Sequence, residues 1–143
     1  MKNYQHTQSS PLIVGITVGT FFILFALGVF VLKPFLITSP LLLIAGWLFH
    51  SLTIEITDRE LRWHFGIGLI RKRVALADIA SVKIVRTNFC EGWGIHWSRF
   101  GWLYNVSGYD AIAVTLHSGK RFALGTDEPQ VLAAQLNQTL QQG

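Results

Sequence analysis

The sequence contains few residues that could carry out chemistry, and the first set is a cysteine close to an acid and a base. Cys90, Glu91 and His96 could serve as nucleophile, acid and base. A Cys–His pair is defined by its arrangement in space rather than by spacing, however, and an isolated loop cysteine is far more often incidental. We therefore expect no catalytic residues, and the chain is predicted not to be an enzyme.

Metal and nucleotide sites have no support in the residue spacing. His64, His96 and His117 fall in different predicted strands, without the spacing of metal ligands. The single cysteine excludes an internal disulfide and any metal site built from several cysteines. The two Gly-x-Gly motifs, which begin at Gly66 and Gly92, match neither a phosphate-binding loop nor a dinucleotide-binding pattern. We expect neither a metal nor a cofactor.

A cluster of cationic side chains is the first candidate binding site. Arg71, Lys72 and Arg73 are consecutive, and Arg59 and Arg62 precede them. Beside a membrane, each such charge contributes about 1 kcal/mol of attraction to anionic headgroups. The alternative is a solvated strand and turn whose charges do no more than set the membrane topology.

Large aromatic rings between residues 93 and 104 form the second candidate site. They exceed what a small core normally needs, so some could enter the bilayer interface or contact a partner. Alternation places Trp93 and Trp97 on one face, which favours the core for that face, whereas Phe100 is expected at an exposed turn tip. The candidate binding residues of this stretch are Trp97, Arg99, Phe100 and Trp102.

The composition changes abruptly near residue 52. Half of the residues are hydrophobic and only 14% are charged, against about a quarter in a typical soluble domain. Between Leu12 and Leu52 only Lys33 and His50 could carry charge, whereas all eight acidic residues lie from Glu55 onward. Ten Lys and Arg residues share that later part of the chain with the eight acidic ones. So small an excess gives no support for nucleic-acid binding.

The apolar part predicts two membrane-spanning helices, 12–32 and 35–52, joined as a hairpin. The first is uncharged and, as a helix, spans roughly 30 Å, the thickness of a hydrocarbon core. It is longer than the apolar region of a signal peptide and continues into a second apolar block, so we favour a membrane helix. The second is long enough to cross if the chain turns at Lys33 and Pro34, with Pro40 in its first half.

The basic residues predict the orientation of the chain. The connecting turn offers only Lys33, whereas several basic residues follow the second helix. The positive-inside rule then places the water-facing domain in the cytoplasm, and two crossings place residues 1–11 there as well. We expect a multi-pass protein of the cell membrane with both termini in the cytoplasm.

From residue 53 to 143 the hydrophobic period is first that of β-strands and then that of a helix. About seven short stretches alternate between apolar and polar residues and are separated by turn residues. A helix is predicted at about 128–141, with Val131, Leu132 and Leu136 on one face. The predicted domain is therefore α+β, a twisted antiparallel sheet with the helix over one open end.

This order of elements behind a two-helix anchor resembles the bacterial pleckstrin-homology-like (PH-like) domain proteins. The most similar stretch is residues 92–129, GWGIHWSRFGWLYNVSGYDAIAVTLHSGKRFALGTDEP. The resemblance implies a seven-stranded, partly open antiparallel barrel capped by a C-terminal helix, in a protein of the bacterial inner membrane. It also implies a non-catalytic binding or scaffold role, and it supplies no catalytic residues.

Two functions remain open at this point. The first is a membrane-anchored binding or scaffold module at the cytoplasmic membrane surface. Its expected partners are the lipid bilayer, anionic lipid headgroups and a protein, and not a nucleic acid. The second is an accessory or structural subunit of a membrane protein complex for transport or envelope functions, in which the helices make the contacts.

Overall fold

Nine strands and three α-helices make up residues 4–91 and 93–142, the part of the chain that the computed structural model describes. In chain order they are β1 (Tyr4–Ser9), α1 (Pro11–Phe30), α2 (Phe35–Leu48), β2 (Ser51–Ile56), β3 (Glu60–Phe65), β4 (Ile70–Ala75), β5 (Ile79–Arg86), β6 (Gly94–Ser98), β7 (Gly101–Asn105), β8 (Asp110–Leu116), β9 (Arg121–Gly125) and α3 (Pro129–Gln142).

The strands form two sheets that pack face to face. The four-stranded sheet has the antiparallel order β1-β2-β3-β4, and the five-stranded sheet has the order β5-β8-β9-β7-β6, with β7 and β9 parallel. Trp63 of the first sheet meets the second sheet, where its ring stacks on Phe122 at 4.9 Å and contacts Tyr104 edge-on at 5.2 Å. The alternation of apolar residues along β3 therefore serves to bury one face of the sheet against the other.

Helix α3 covers the remaining opening of this core. Thr126 orders the residue before the helix, because its Oγ1 accepts a hydrogen bond from the Glu128 N–H at 3.1 Å, and the Glu128 carbonyl oxygen accepts from the Leu132 N–H. Leu132 and Leu136, four residues apart, lie on one face of the helix and are fully buried, whereas Val131 is exposed. The helix lies against β5 and β8.

The helices α1 and α2 form an antiparallel apolar hairpin that projects from the four-stranded sheet. Ser10 caps α1, since its Oγ accepts from the Ile13 N–H at 3.2 Å, and Pro11 occupies the first turn. Helix α1 is long and apolar enough to span a membrane, and little of it is buried. Phe22 is 64% exposed and Phe30 is 85% exposed. The apolar surface of the hairpin is therefore not covered by the rest of the molecule.

The prediction of two membrane-spanning helices is wrong. The second apolar block forms a helix of only 14 residues, which is about 21 Å long against a hydrocarbon core of about 30 Å. It ends at Leu48. The His50 carbonyl oxygen already accepts from the N–H of Ser10, the residue after β1, and Ser51 begins β2. Among the described residues, only α1 has the length of a membrane span.

The predicted seven-stranded, partly open barrel is also wrong. The described residues contain nine strands in two sheets, and no strand pairing joins the edges of one sheet to those of the other. One of the two additional strands, β1, comes from the polar segment before α1 and pairs with β2 along six residues. Residues 1–3 of that N-terminal segment, Gly92 at the start of the second Gly-x-Gly motif and Gly143 lie outside the described residues.

Both ends of the hairpin join neighbouring strands at the same end of the four-stranded sheet. The Ser10 N–H donates to the His50 carbonyl oxygen at 2.8 Å, so β1 and β2 begin pairing where the two helices meet the sheet. We call this the anchor end of the sheet. It is formed by the strand ends at Ser9, Ser51, Phe65 and Ile70.

Candidate functional site

A groove of about 640 Å³ runs along β3 and β4 and is lined mainly by basic residues. The strand register builds it, because Arg62 lies opposite Arg73 and His64 lies opposite Arg71. Like charges directly opposite each other destabilise a sheet unless something offsets them. The complete lining is Glu55, Arg62, Trp63, His64, Ile67, Gly68, Arg71, Lys72 and Arg73.

Carboxylates offset only part of the positive charge of the groove. Glu60 accepts from Arg62 Nε at 2.7 Å and lies 3.6 Å from an Nη of Arg73. Within residues 4–91 and 93–142, no carboxylate lies within 4.0 Å of the charged atoms of Arg71 or Lys72. The groove therefore has a net positive charge that suits an anionic ligand.

One wall of the groove has its own acidic residue. Glu55 of β2 lies opposite Arg62 of β3, and the Oε1 of Glu55 accepts a hydrogen bond from Gln5 Nε2 at 3.2 Å. This pairing with the N-terminal strand holds the carboxylate at the β2 side of the groove. The most basic side is therefore the β4 side, which is an edge of the sheet.

The turn between β3 and β4 connects the groove to the base of the hairpin. Its residues Ile67 and Leu69 are large, apolar and 56% and 69% exposed. Gly66 begins the turn with a φ of +47° and lies so close to α2 that a Cβ there would be 2.7 Å from the Leu48 carbonyl oxygen. A side chain at this position would push the turn away from the hairpin, and glycine permits the contact.

The structure separates Arg59 from the other predicted basic residues. Arg59 lies in the β2–β3 turn, where its carbonyl oxygen accepts from the Leu76 N–H, and it does not line the groove. The six residues of β3 lie between Arg59 and Gly66, which places Arg59 about 20 Å from the anchor end. The structure therefore brings Arg62 together with residues 71–73 and places Arg59 apart from them.

The aromatic candidates form a separate surface on the five-stranded sheet. Trp97 and Trp102 face each other across β6 and β7 with their rings edge to face at 5.8 Å, and Trp97 is 70% exposed. The Arg99 guanidinium lies 4.7 Å from the centre of the Phe100 ring. The expectation that Trp97 belongs to the core is wrong, and Phe100 is half-buried rather than fully exposed.

The residues considered for catalysis are distributed over several elements. Cys90 is exposed in a short 3-10 helix, while His96 lies on β6 and His117 in the β8–β9 turn. Glu91 has structural partners: its Oε2 accepts a hydrogen bond from the Asn88 N–H at 2.9 Å, and its Oε1 lies 3.4 Å from Arg99 Nε. In the part of the chain that is described, no cluster of three His, Cys, Asp or Glu side chains could hold a metal ion.

A polar cluster that the sequence analysis missed joins the N-terminal strand to α3. His6 Nε2 lies 2.6 Å from Asp127 Oδ1, and His6 Nδ1 lies 3.4 Å from Glu128 Oε2. Burial, followed by the charges of Glu128 and Asp127, raises the pKa of Tyr4 to about 12. No spacing could have revealed this cluster, since more than 120 residues separate its two halves.

No protein-family model matches the chain, and no curated protein matches it significantly. The resemblance to PH-like domain proteins therefore stays a prediction.

Proposed function

We propose that the chain is a membrane-anchored, non-catalytic binding module that presents its basic groove at a membrane surface. The observation that carries the proposal is the uncovered apolar surface of the α1–α2 hairpin. A soluble protein rarely exposes a contiguous apolar surface of this kind, because each buried CH₂ group stabilises the protein by about 0.8 kcal/mol. A bilayer would cover it.

The strand before α1 argues that the hairpin belongs to the mature fold. β1 pairs with β2 along six residues, so a chain cleaved within or after α1 would lose an edge strand of the sheet. Helix α1 also packs along α2, where Thr17 and Gly46 are in close contact. These contacts support a retained membrane anchor over a cleaved signal peptide.

We further propose that the sheets lie on the cytoplasmic side of a bacterial cell membrane. The tip of the hairpin carries only Lys33, while Arg71, Lys72 and Arg73 lie within a few residues of the anchor end. The positive-inside rule places the more basic side in the cytoplasm. On this view the hairpin enters the bilayer from that side, and both of its ends stay on that side, because β1 and β2 are paired.

Alkaline extraction of isolated membranes tests the anchoring. The full-length chain should stay in the membrane pellet, whereas Phe22→Arg, which places a charge in the middle of α1, should release a substantial fraction. Trp97→Arg is the matched control, because it adds the same charge to an exposed aromatic position on the five-stranded sheet. Release of the wild-type chain by alkali would refute the anchoring.

A reporter fusion tests the orientation. Alkaline phosphatase fused after residue 143 should be inactive, because the enzyme matures only outside the cytoplasm, and a cytoplasmic reporter at the same position should be active. An active phosphatase would reverse the proposed orientation while leaving the anchoring intact.

A second candidate function, an accessory subunit of a membrane protein complex, is favoured by one feature of the hairpin. A groove of about 440 Å³ runs between α1 and α2 and is lined by Val14, Thr17, Val18, Leu43, Gly46, Trp47 and His50. Small residues in such a groove let another helix approach closely. Photo-crosslinking from position 18 to a membrane protein, lost in Val14→Trp, which fills the groove from an exposed position, would favour this function over the first.

A further inference from the structure

We propose that the basic groove binds the phosphate-bearing headgroup of an anionic lipid, with the β3–β4 turn resting in the interfacial layer beside the hairpin. This inference rests on the proposed membrane anchoring and specifies the ligand of the same site. Its main support is the position of the groove relative to the hairpin, because this position determines which layer of the bilayer the groove residues contact.

The β3–β4 turn is fixed at the base of the hairpin. The Gly66 N–H donates to the Ser51 carbonyl oxygen at 2.9 Å, and the Gly68 N–H donates to Phe65 O at 2.8 Å. Phe49, just after α2, packs edge-on against Phe65 at 5.4 Å. The turn therefore keeps one depth relative to the bilayer in which the hairpin lies.

The residues around the turn follow the layers of a membrane surface. Ile67 and Leu69 at its tip are exposed and apolar, and Trp47 at the end of α2 is an exposed aromatic residue of the type favoured at membrane interfaces. The pair Arg62 and Arg73 lies three residues along the strands from the anchor end, or about 10 Å. The polar layer of a bilayer is about 5–8 Å thick, so these cations lie at headgroup level or just above it.

The side chains of the groove suit a phosphate group. Arg71 uses Nε to donate to the Gly68 carbonyl oxygen at 2.8 Å, and its Nη groups donate no hydrogen bond within the described residues. An arginine held in this way can present two parallel donors to one phosphate. Lys72 adds an exposed ammonium with no carboxylate within 4.0 Å among the described side chains. A headgroup anchored in the bilayer presents its phosphate at this level, which favours it over a freely diffusing anion.

The experiment titrates the full-length chain in non-ionic detergent with short-chain phosphatidylglycerol, by calorimetry. The test variant carries Lys72→Gln and Arg73→Gln, which leave the Arg71 contact with the turn intact. The control variant carries Arg59→Gln and Lys120→Gln, which remove the same charge from exposed residues of the β2–β3 and β8–β9 turns, outside the groove. Thermal unfolding of each variant checks that the fold is kept.

We expect saturable binding of phosphatidylglycerol and none of phosphatidylcholine with the same chains. At about fivefold per charge, the test variant should bind roughly 25-fold more weakly, while the control variant should stay within about twofold of wild type. Lys72→Arg with Arg73→Lys, which keeps both charges, should retain binding within a few-fold. If the test variant unfolds, Lys72→Gln alone should still weaken binding about fivefold.

Several outcomes would overturn the inference. These are equal losses in the test and control variants, equal binding of the two lipids, inorganic phosphate binding as tightly as phosphatidylglycerol, or crosslinks from position 67 to a protein in place of lipid. Alkaline extraction distinguishes this failure from failure of the proposed function. A wild-type chain that stays in the membrane without lipid selectivity disproves the headgroup site alone, whereas a chain released by alkali disproves the anchor.

Discussion

At the scale of single residues, the most demanding position is the glycine that lets the β3–β4 turn touch the hairpin. Gly66 has a φ of +47°, and a Cβ there would approach the backbone of α2 at Leu48, which cannot move as a flexible side chain could. Gly119, in the β8–β9 turn, also has a positive φ of +82°, but a Cβ there would meet nothing within 4 Å. Alanine substitution at the two glycines therefore separates the free-energy cost of backbone strain from the cost of a clash with the hairpin.

We predict that Gly66→Ala destabilises the protein more than Gly119→Ala does. Gly119→Ala should lower the free energy of unfolding by about 1 kcal/mol through backbone strain alone. Gly66→Ala should lower it by about 2–4 kcal/mol, since the clash with Leu48 is added. Chemical denaturation of both variants in detergent measures the difference, and equal effects would show that the turn does not rest on the hairpin.

The raised pKa of Tyr4 predicts a specific loss of stability in alkali. Below pH 10 the phenol is neutral in both the folded and the unfolded chain, whereas between pH 10 and about 12 it ionises only in the unfolded chain. Stability should therefore fall as the pH rises through this window. In Tyr4→Phe the fall should be smaller, although burial also raises the pKa of Tyr104, which adds its own contribution. Identical thermal unfolding curves for wild type and Tyr4→Phe across this window would contradict the prediction.

At the scale of elements, α3 completes the core through a narrow apolar face. Leu132→Ala should lower the free energy of unfolding by about 2–5 kcal/mol, because Leu132 is fully buried and its removal leaves a cavity. The neighbouring Val131→Ala should change it by less than about 0.5 kcal/mol, since Val131 is exposed. Denaturant unfolding of both variants tests this, and similar values would mean that α3 is not packed as described.

The sequence allowed the position of most strands to be predicted, but not their pairing. The predicted short strands coincide with β2 to β9 in their approximate positions, and the predicted helix at 128–141 differs from α3 by one residue at each end. Alternation records which face of a strand is buried and contains no information about its neighbours. Alternation therefore could not predict the parallel pairing of β7 with β9 or the division of the strands into two open sheets.

Two features were not predicted, the strand β1 and the early end of α2, and each has a physical reason. The YQHTQS segment of β1 has a polar character, so no apolar alternation marks it, and it is held by backbone pairing with β2. Helix α2 ends before the apolar run does, because Leu52 is needed in the core of the sheet, where it is fully buried. A run of apolar residues cannot show whether its last residues face lipid or a protein core.

The candidate site was predictable only in part, for a related reason. Consecutive basic residues at 71–73 are visible in any sequence, whereas the apolar tip at Ile67 and Leu69 becomes significant only once the turn is placed beside the hairpin. Trp97 shows the opposite error. Its alternation with Trp93 favoured the core, but β6 is an edge strand and Trp97 is largely exposed.

At the scale of the whole molecule, the hairpin and the sheet behave as one piece in our account. Both hairpin ends continue into neighbouring paired strands, and a hydrogen bond between Ser10 and His50 closes the junction. No linker separates the anchor from the sheet, so the depth of the hairpin determines the distance of every groove residue from the bilayer. This arrangement is what favours a function at the membrane surface.

Depth-dependent quenching by spin-labelled lipids tests that account most directly. Single cysteines are placed at positions 22, 67 and 120 in a full-length Cys90→Ala background and labelled with a fluorescent probe. In reconstituted vesicles they report the hairpin, the β3–β4 turn and the β8–β9 turn of the other sheet. We predict quenching at 22 by labels deep in the acyl chains, at 67 by labels near the headgroups, and at 120 by neither. Accessibility of position 22 to an aqueous quencher, or equal quenching at 67 and 120, would contradict the account.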